Sequence, residues 1–140
     1  MAESVPGARQ APSRGLCDAP MIAVEPRRAE ALKIGYEATD WLKVPGFEEY
    51  TEFMDEWTVE LLVRNGEPIG AIYTRGPEFH VSILPEWRGR WATRSILKRI
   101  IPRPLAITLV TPGFEHVGNY LVRLGFERHG IYYVREHHGH

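Results

Sequence analysis

Glu78 and His80 stand two residues apart in "EFHVSIL" (78–84), a run that alternates polar and apolar residues from Glu78 to Ile83. Alternation of period two is the mark of a strand with one face buried. It places Phe79, Val81 and Ile83 on one side and Glu78, His80, Ser82 and Leu84 on the other. An imidazole relays a proton near neutral pH, and a carboxylate two residues along the same face can orient it. The plainer alternative is that both are ordinary polar positions on a half-exposed strand.

The next ten residues, "PEWRGRWATR" (85–94), lead from that strand into the amphipathic run "SILKRII". A strand, a short glycine-containing turn and a helix form a common seat for phosphate, because the first backbone N–H groups of the helix have no partner inside it. This loop has a single glycine, Gly89, between Trp87 and Trp91. Arg90, Arg94 and Lys98 fall at i, i+4 and i+8, which predicts a basic stripe on the third helix opposite Ala92, Ile96 and Ile100. That stripe suits phosphate groups; a solvated helix face is the competing explanation. Nucleic acid is not the expected partner, since no aromatic residues interleave with the stripe and no second basic helix accompanies it. His137, His138 and His140 close the chain without a cysteine or carboxylate beside them, so no metal site is expected there. No Ser-His-Asp order, CxxC pair or P-loop is present.

These residues need elements to hold them. "MIAVEP" (21–26) reads as a first strand. Residues 27–42 have helical spacing, with Ala31, Ile34, Ala38 and Leu42 as the stripe, and "FEEYTEFMDEW" (47–57) reads as a second helix. "TVELLVR" and "EPIGAIYTRG" flank Asn65-Gly66, the favoured pair for a tight hairpin turn. The third helix ends at Pro102, and "LAITLVT" (105–111) is a fifth strand. "GFEHVGNYLVRLG" (113–125) places Phe114, Val117, Leu121 and Leu124 on one helical face, with Gly125 as the cap. "FERHGIYYVRE" (126–136) is a closing hairpin. The predicted order is β-α-α-β-β-β-α-β-α-β-β. Residues 1–20, rich in Pro, Gly, Ala and Ser without period, read as a flexible arm, either a disordered tail or a segment ordered by a partner. Residues 137–140 form a His-rich tail.

A length of 140 residues suits one domain, and 44% hydrophobic with 25% charged residues is the balance of a globular chain. A net charge of -1 argues against a protein built to coat nucleic acid. Cys17 is the lone cysteine and cannot close an internal disulfide. No apolar run approaches the roughly 20 residues that span a bilayer, and the N-terminus lacks the apolar core of a secretory signal. A cytoplasmic protein is expected, or one packed into a particle assembled in a cytoplasm.

Residues 21–136 resemble the GNAT superfamily of N-acetyltransferases. "HVSILPEWRGRWATR" resembles its fourth strand and the Q/R-x-x-G-x-G/A signature loop, "LVRLGF" the end of its fourth helix, and "GIYYVRE" its final strand. More narrowly, "LPEWRGRWA" with "NYLVRLGFERHG" is similar to short GNAT-like proteins of tailed bacteriophages, some of them virion components. The resemblance implies one α/β domain, its mixed and mostly antiparallel sheet splayed between strands four and five, with helices on both faces. It implies acetyl-CoA as co-substrate, its pyrophosphate held by the backbone of Arg88, Gly89, Arg90, Trp91, Ala92 and Thr93, with Arg94 and its stripe toward the 3′-phosphate. Glu78 or His80 would be the general base. Leu121 takes the position of the family's acidic tyrosine, leaving Tyr120 as an imperfect substitute and Tyr132 and Tyr133 as fallbacks. Trp91 stands where the signature has glycine, and is expected to face the core rather than cap the cleft. Two functions are implied: an acyl-CoA-dependent N-acetyltransferase of unknown acceptor, or a catalytically weak or inactive phage protein. The second would serve binding or virion assembly, its arm meeting phage structural proteins.

Overall fold

The computed structural model describes residues 21–39, 41, 43–110 and 115–136. Seven strands and four helices follow in the expected order: β1 (Ile22–Glu25), α1 (Arg28–Ala38), α2 (Phe47–Phe53), β2 (Thr58–Arg64), β3 (Glu67–Arg75), β4 (Glu78–Ile83), α3 (Arg94–Ile100), β5 (Leu105–Leu109), α4 (Glu115–Arg123), β6 (Glu127–His129) and β7 (Tyr132–Glu136). The strands form one sheet in the order β1-β2-β3-β4-β5-β7-β6. All neighbours are antiparallel except β4 and β5.

Alternation along the strands divides the core into two layers. Leu61, Val63, Ala71 and Tyr73 face α1 and α2, where Ala31, Leu32 and Tyr50 cover them. Leu62, Ile72, Phe79, Ile83 and Ala106 face α3 and α4, where Ile96, Ile100 and Leu121 cover them. This is the mixed sheet with helices on both faces that the sequence predicts. The β2–β3 hairpin turns on Asn65 (φ 50) and Gly66 (φ 83), both left-handed as a two-residue turn of this kind requires. The α4 helix ends on Gly125 (φ 98), with Phe126 N–H bonded to Leu121 O at 3.0 Å and Gly125 N–H to Val122 O at 3.0 Å. That pattern satisfies two carbonyls at the helix end and drops Phe126 into the core.

Helix boundaries differ from expectation at three places. Within α1, Ala31 and Ala38 are buried as predicted, but the helix stops at Ala38; Leu42 lies outside the described residues. The α2 helix stops at Phe53, short of Trp57, because Arg28 donates to the carbonyls of Met54 and Trp57 and draws the chain into β2. The third boundary matters for function. The α3 helix begins at Arg94, capped by Thr93, whose Oγ1 accepts from Ile96 N–H at 3.2 Å. Arg90, Trp91 and Ala92 therefore precede the helix, and the predicted three-residue stripe shrinks to Arg94 and Lys98. Phe114, the arm and the tail lie outside the described residues. Among the described residues, no helix is long and apolar enough to cross a membrane.

Candidate functional site

Strands β4 and β5 run parallel but share one paired position, Glu78 with Ile107, supported by the Ile107 N–H bond to Pro77 O at 2.8 Å. Beyond that apex they part. Every other strand pair in the sheet is laddered over several positions, so the splay is a local opening in an otherwise closed sheet. A cavity of about 290 Å³ fills it. One wall is Phe79, Val81 and Ile83 of β4; the opposite wall is Thr108 and Leu109 of β5 with Val110 after it. Leu97 and Ile100 of α3 and His116, Val117 and Tyr120 of α4 line it from the helical side. The lining is mainly apolar, as expected of a slot that takes an extended chain with few charges.

The loop between β4 and α3 forms the mouth. Arg88 donates from Nε to Ile83 O at 3.1 Å and from Nη2 to Ala38 O at 3.0 Å, fastening the loop to the ends of β4 and α1. Gly89 sits at φ 81, a left-handed angle that side chains disfavour, and it turns the chain toward α3. Among the described residues, the backbone N–H groups of Trp91, Ala92, Arg94 and Ser95 make no backbone hydrogen bond, while that of Ile96 is taken by Thr93. Arg88, Gly89 and Trp91 line the cavity, and Arg90, Ala92, Thr93 and Arg94 do not. Trp91 is half-buried and packs on the core cluster while also lining the cavity. The predicted choice between core and cleft resolves into both, because Trp91 is a loop residue at the boundary of the two.

Glu78 and His80 meet on the other face of β4. Glu78 Oε2 lies 2.6 Å from His80 Nε2, and both side chains are about a third exposed. The His80 ring packs on Trp57 at 5.5 Å, and the Arg75 guanidinium lies 4.6 Å over the same indole. Neither Glu78 nor His80 lines the cavity, yet Glu78 is at the apex where β4 and β5 separate. Ser82, further along that face, lies 3.2 Å from the Thr39 hydroxyl, and both residues reach the cavity wall. Deeper in, the hydroxyls of Tyr50 and Tyr73 are 2.6 Å apart. Burial raises both tyrosines above their ordinary pKa, so both are neutral across the physiological range.

Among the sequence candidates for a proton donor, Tyr120 lines the cavity, whereas Leu121 is 8% exposed and part of the core. Tyr133 packs beneath Gly118 of α4, and Tyr132 is exposed on the outer hairpin; neither reaches the cavity. Sequence reasoning missed Thr39, Thr108 and His116, which line the site from three separate elements. For His116 a signal existed, since it stands one helical turn before Tyr120. Among the described residues, no cluster of three His, Cys, Asp or Glu is placed to hold a metal.

No protein-family model and no curated protein matches the sequence. Solved structures do match the fold. An acetyltransferase from Thermus thermophilus superposes with a TM-score of 0.62 at 14% identity, covering 82% of this chain and 96% of that one. The ribosomal-protein-S18-alanine N-acetyltransferase from Escherichia coli gives 0.62 at 10% identity, with 86% and 97% covered. An aminoglycoside acetyltransferase in complex with coenzyme A and kanamycin gives 0.61 at 15% identity, with 83% and 95% covered. The chain has the GNAT fold. The likeness runs over nearly the whole length of each of these structures.

Proposed function

We infer that the chain is an acyl-CoA-dependent N-acyltransferase acting on an amine, with acetyl-CoA the expected donor. The observation that carries this reading is the apolar slot between β4 and β5, bordered on each side by a strand edge that the sheet leaves unpaired. A pantetheine arm is a slender chain with two amides. It matches a slot that is apolar along its walls and offers backbone donors and acceptors at its edges. The amides of Trp91, Ala92, Arg94 and Ser95 lie at the mouth, where a pyrophosphate would follow. The neighbours solved with coenzyme A or acetyl-CoA support the same assignment.

Bound acetyl-CoA would supply a thioester, whose thiolate is a tolerable leaving group. The chain's own residues would do the rest. His80, held by Glu78, would take the proton from the acceptor ammonium on the α1–α2 side of the sheet, leaving a nucleophilic amine at the apex. Tyr120, which lines the cavity, would return a proton to the departing sulfur. The sheet separates the two halves of the site, base on one face and donor slot on the other, and they meet where the strands part.

One feature favours the alternative of a binding protein with little catalysis. Leu121 fills the position where the resembled family carries its tyrosine, and it is buried rather than directed to chemistry. In that reading residues 1–20 would dock the domain on an assembly partner. A titration with acetyl-CoA and with its non-reactive desulfo analogue tests donor binding. Donor at 100 times its dissociation constant stabilises a folded protein by about 2.7 kcal/mol. No stabilisation at millimolar donor overturns both the slot assignment and the enzyme. Binding without thiol release across a panel of amines leaves the binding protein.

A further inference from the structure

Both faces of β5 and β7 carry apolar residues, yet only one face is covered. In "LAITL" (105–109) and "YYV" (132–134), apolar residues and one threonine follow one another without the alternation of a half-solvated strand. Runs of that kind belong to strands covered on both sides. Ala106 lies in the core under α3 and α4, and Tyr133, opposite Thr108, sits beneath Gly118 of α4. Alternation sends Ile107, Leu109, Tyr132 and Val134 to the other face. There Ile107 stands opposite Val134, and Leu109 opposite Tyr132. None of the four belongs to either core layer, and α1, the helix on that face, packs over β2, β3 and β4. Leu109 is 39% exposed and Tyr132 46%.

This bare floor adjoins the apex of the splay. Glu78 is paired with Ile107 there, so the carboxylate and the first floor residue share a face. His80 is two residues beyond that pair on β4, and Leu109 two residues beyond it on β5. The face that carries the imidazole is therefore continued by Leu109 and Tyr132, and Leu109 also lines the slot. Trp57, 5.5 Å from the imidazole, adds an indole on the near side. On the far side, Glu127 and His129 of β6 stand opposite Val134 and Tyr132 and rim the floor with polar groups. Size and chemistry limit what such a floor can hold. Ile107 and Val134 are one strand spacing apart, roughly 4.8 Å, and Ile107 and Leu109 two residues, roughly 6.6 Å. That area seats one ring or one branched aliphatic group. A hydroxylated or polycationic molecule would have to shed water over three aliphatic side chains that return no hydrogen bond.

We propose that the face formed by Ile107, Leu109, Tyr132 and Val134 binds the apolar body of the acceptor, a primary amine on a short stem from an aromatic ring or branched aliphatic group. The assignment rests on the acyl-transfer reading, in which His80 on this same face receives the ammonium end. The apolar body lies on the floor, and the amine reaches back over Ile107 to the Glu78–His80 pair at the apex.

The test is amide-shift mapping on the full chain with benzylamine, against glucosamine and spermidine at equal ionic strength. Saturable shifts at residues 105–109 and 132–134 are expected with benzylamine alone. Tyr132→Ser should weaken that binding about tenfold, while Tyr132→Phe, which keeps the ring, should stay within about twofold of the parent. Val134→Thr keeps the side-chain shape, so it carries the test if Tyr132→Ser does not fold, and it should weaken binding severalfold. Equal shifts with glucosamine, or unchanged affinity in the folded variants, overturn the proposal. So does a face already occupied by a second copy, seen as the same amides shifting on dilution while benzylamine has no effect. Desulfo-CoA shifts at residues 88–96, followed on the same samples, report the donor slot. Their absence overturns the acyl-transfer reading and with it the amine's role as acceptor. Donor shifts without benzylamine shifts overturn the apolar floor alone.

Discussion

Glu78 and His80 meet at 2.6 Å because two-residue spacing on a strand sets side chains over one another. That much was legible from "EFHVSIL". What the sequence hid was the environment: Trp57, from the α2–β2 junction, packs on the imidazole, and Arg75, from the end of β3, lies over the same indole. If the pair is the base, Glu78→Gln should lower kcat by about 10²-fold or more while leaving CoA affinity nearly unchanged. Turnover with an amine panel and a CoA titration on one preparation check both halves of that statement. Trp91 is the second residue with a sharp expectation. The sequence predicts a core residue at a helix start, and it is instead a half-buried loop residue shared by core and slot. Trp91→Gly should therefore lose about half of the 3–5 kcal/mol that a fully buried tryptophan costs on truncation, read from the urea midpoint. CoA affinity should fall with it, since the slot loses a wall. Tighter CoA binding in a stable variant would show that the indole obstructs the slot.

At the scale of elements, the strands were legible and the ends of the helices were not. The alternation in β2, β3 and β4 and the Asn65-Gly66 turn follow from local rules, and the ladders form in that register. The start of α3 lies later than the sequence predicts because Arg90, Arg94 and Lys98 mimic a helical stripe. The competing signal was Thr93, a side chain that satisfies an orphan N–H and so begins the helix later than the stripe suggests. The docking of α1 on the sheet was invisible locally, because it depends on a partner far along the chain. Gly35 lets α1 approach so closely that an added Cβ would strike the Tyr73 hydroxyl. Gly35→Ala should push helix and strand apart, break the Tyr50–Tyr73 contact and destabilise by about 1–3 kcal/mol. Combining it with Tyr73→Phe removes the struck oxygen, and the pair of changes should cost less than their sum; a strictly additive double variant would contradict the contact.

For the whole molecule, that same tyrosine pair makes stability depend on pH on the alkaline side. Both pKa values are raised in the folded state above the ordinary value near 10. The stabilisation is therefore complete below about pH 10 and is lost as the pH climbs beyond it. Urea midpoints should be level from neutral to about pH 9.5 and then fall, at up to about 1.4 kcal/mol per pH unit for each tyrosine. Tyr50→Phe should roughly halve the alkaline slope; an unaltered slope would place the titrating groups elsewhere.

The splay has one more consequence, for how the molecule avoids its own kind. A sheet that opens between β4 and β5 has four strand edges where a closed sheet has two. Unpaired edges recruit other chains and begin aggregation. Here the two extra edges face each other across a slot lined on its helical side by α3 and α4. Among the described residues, the two outer edges, β1 and β6, are four and three residues long. Glu25 and the run Glu127, Arg128 and His129 add charge along them. Among the described residues, the sheet thus turns the edges freed by its opening toward the slot and presents short, charged strands at its outer margins, so the opening that makes room for a ligand adds no outward edge.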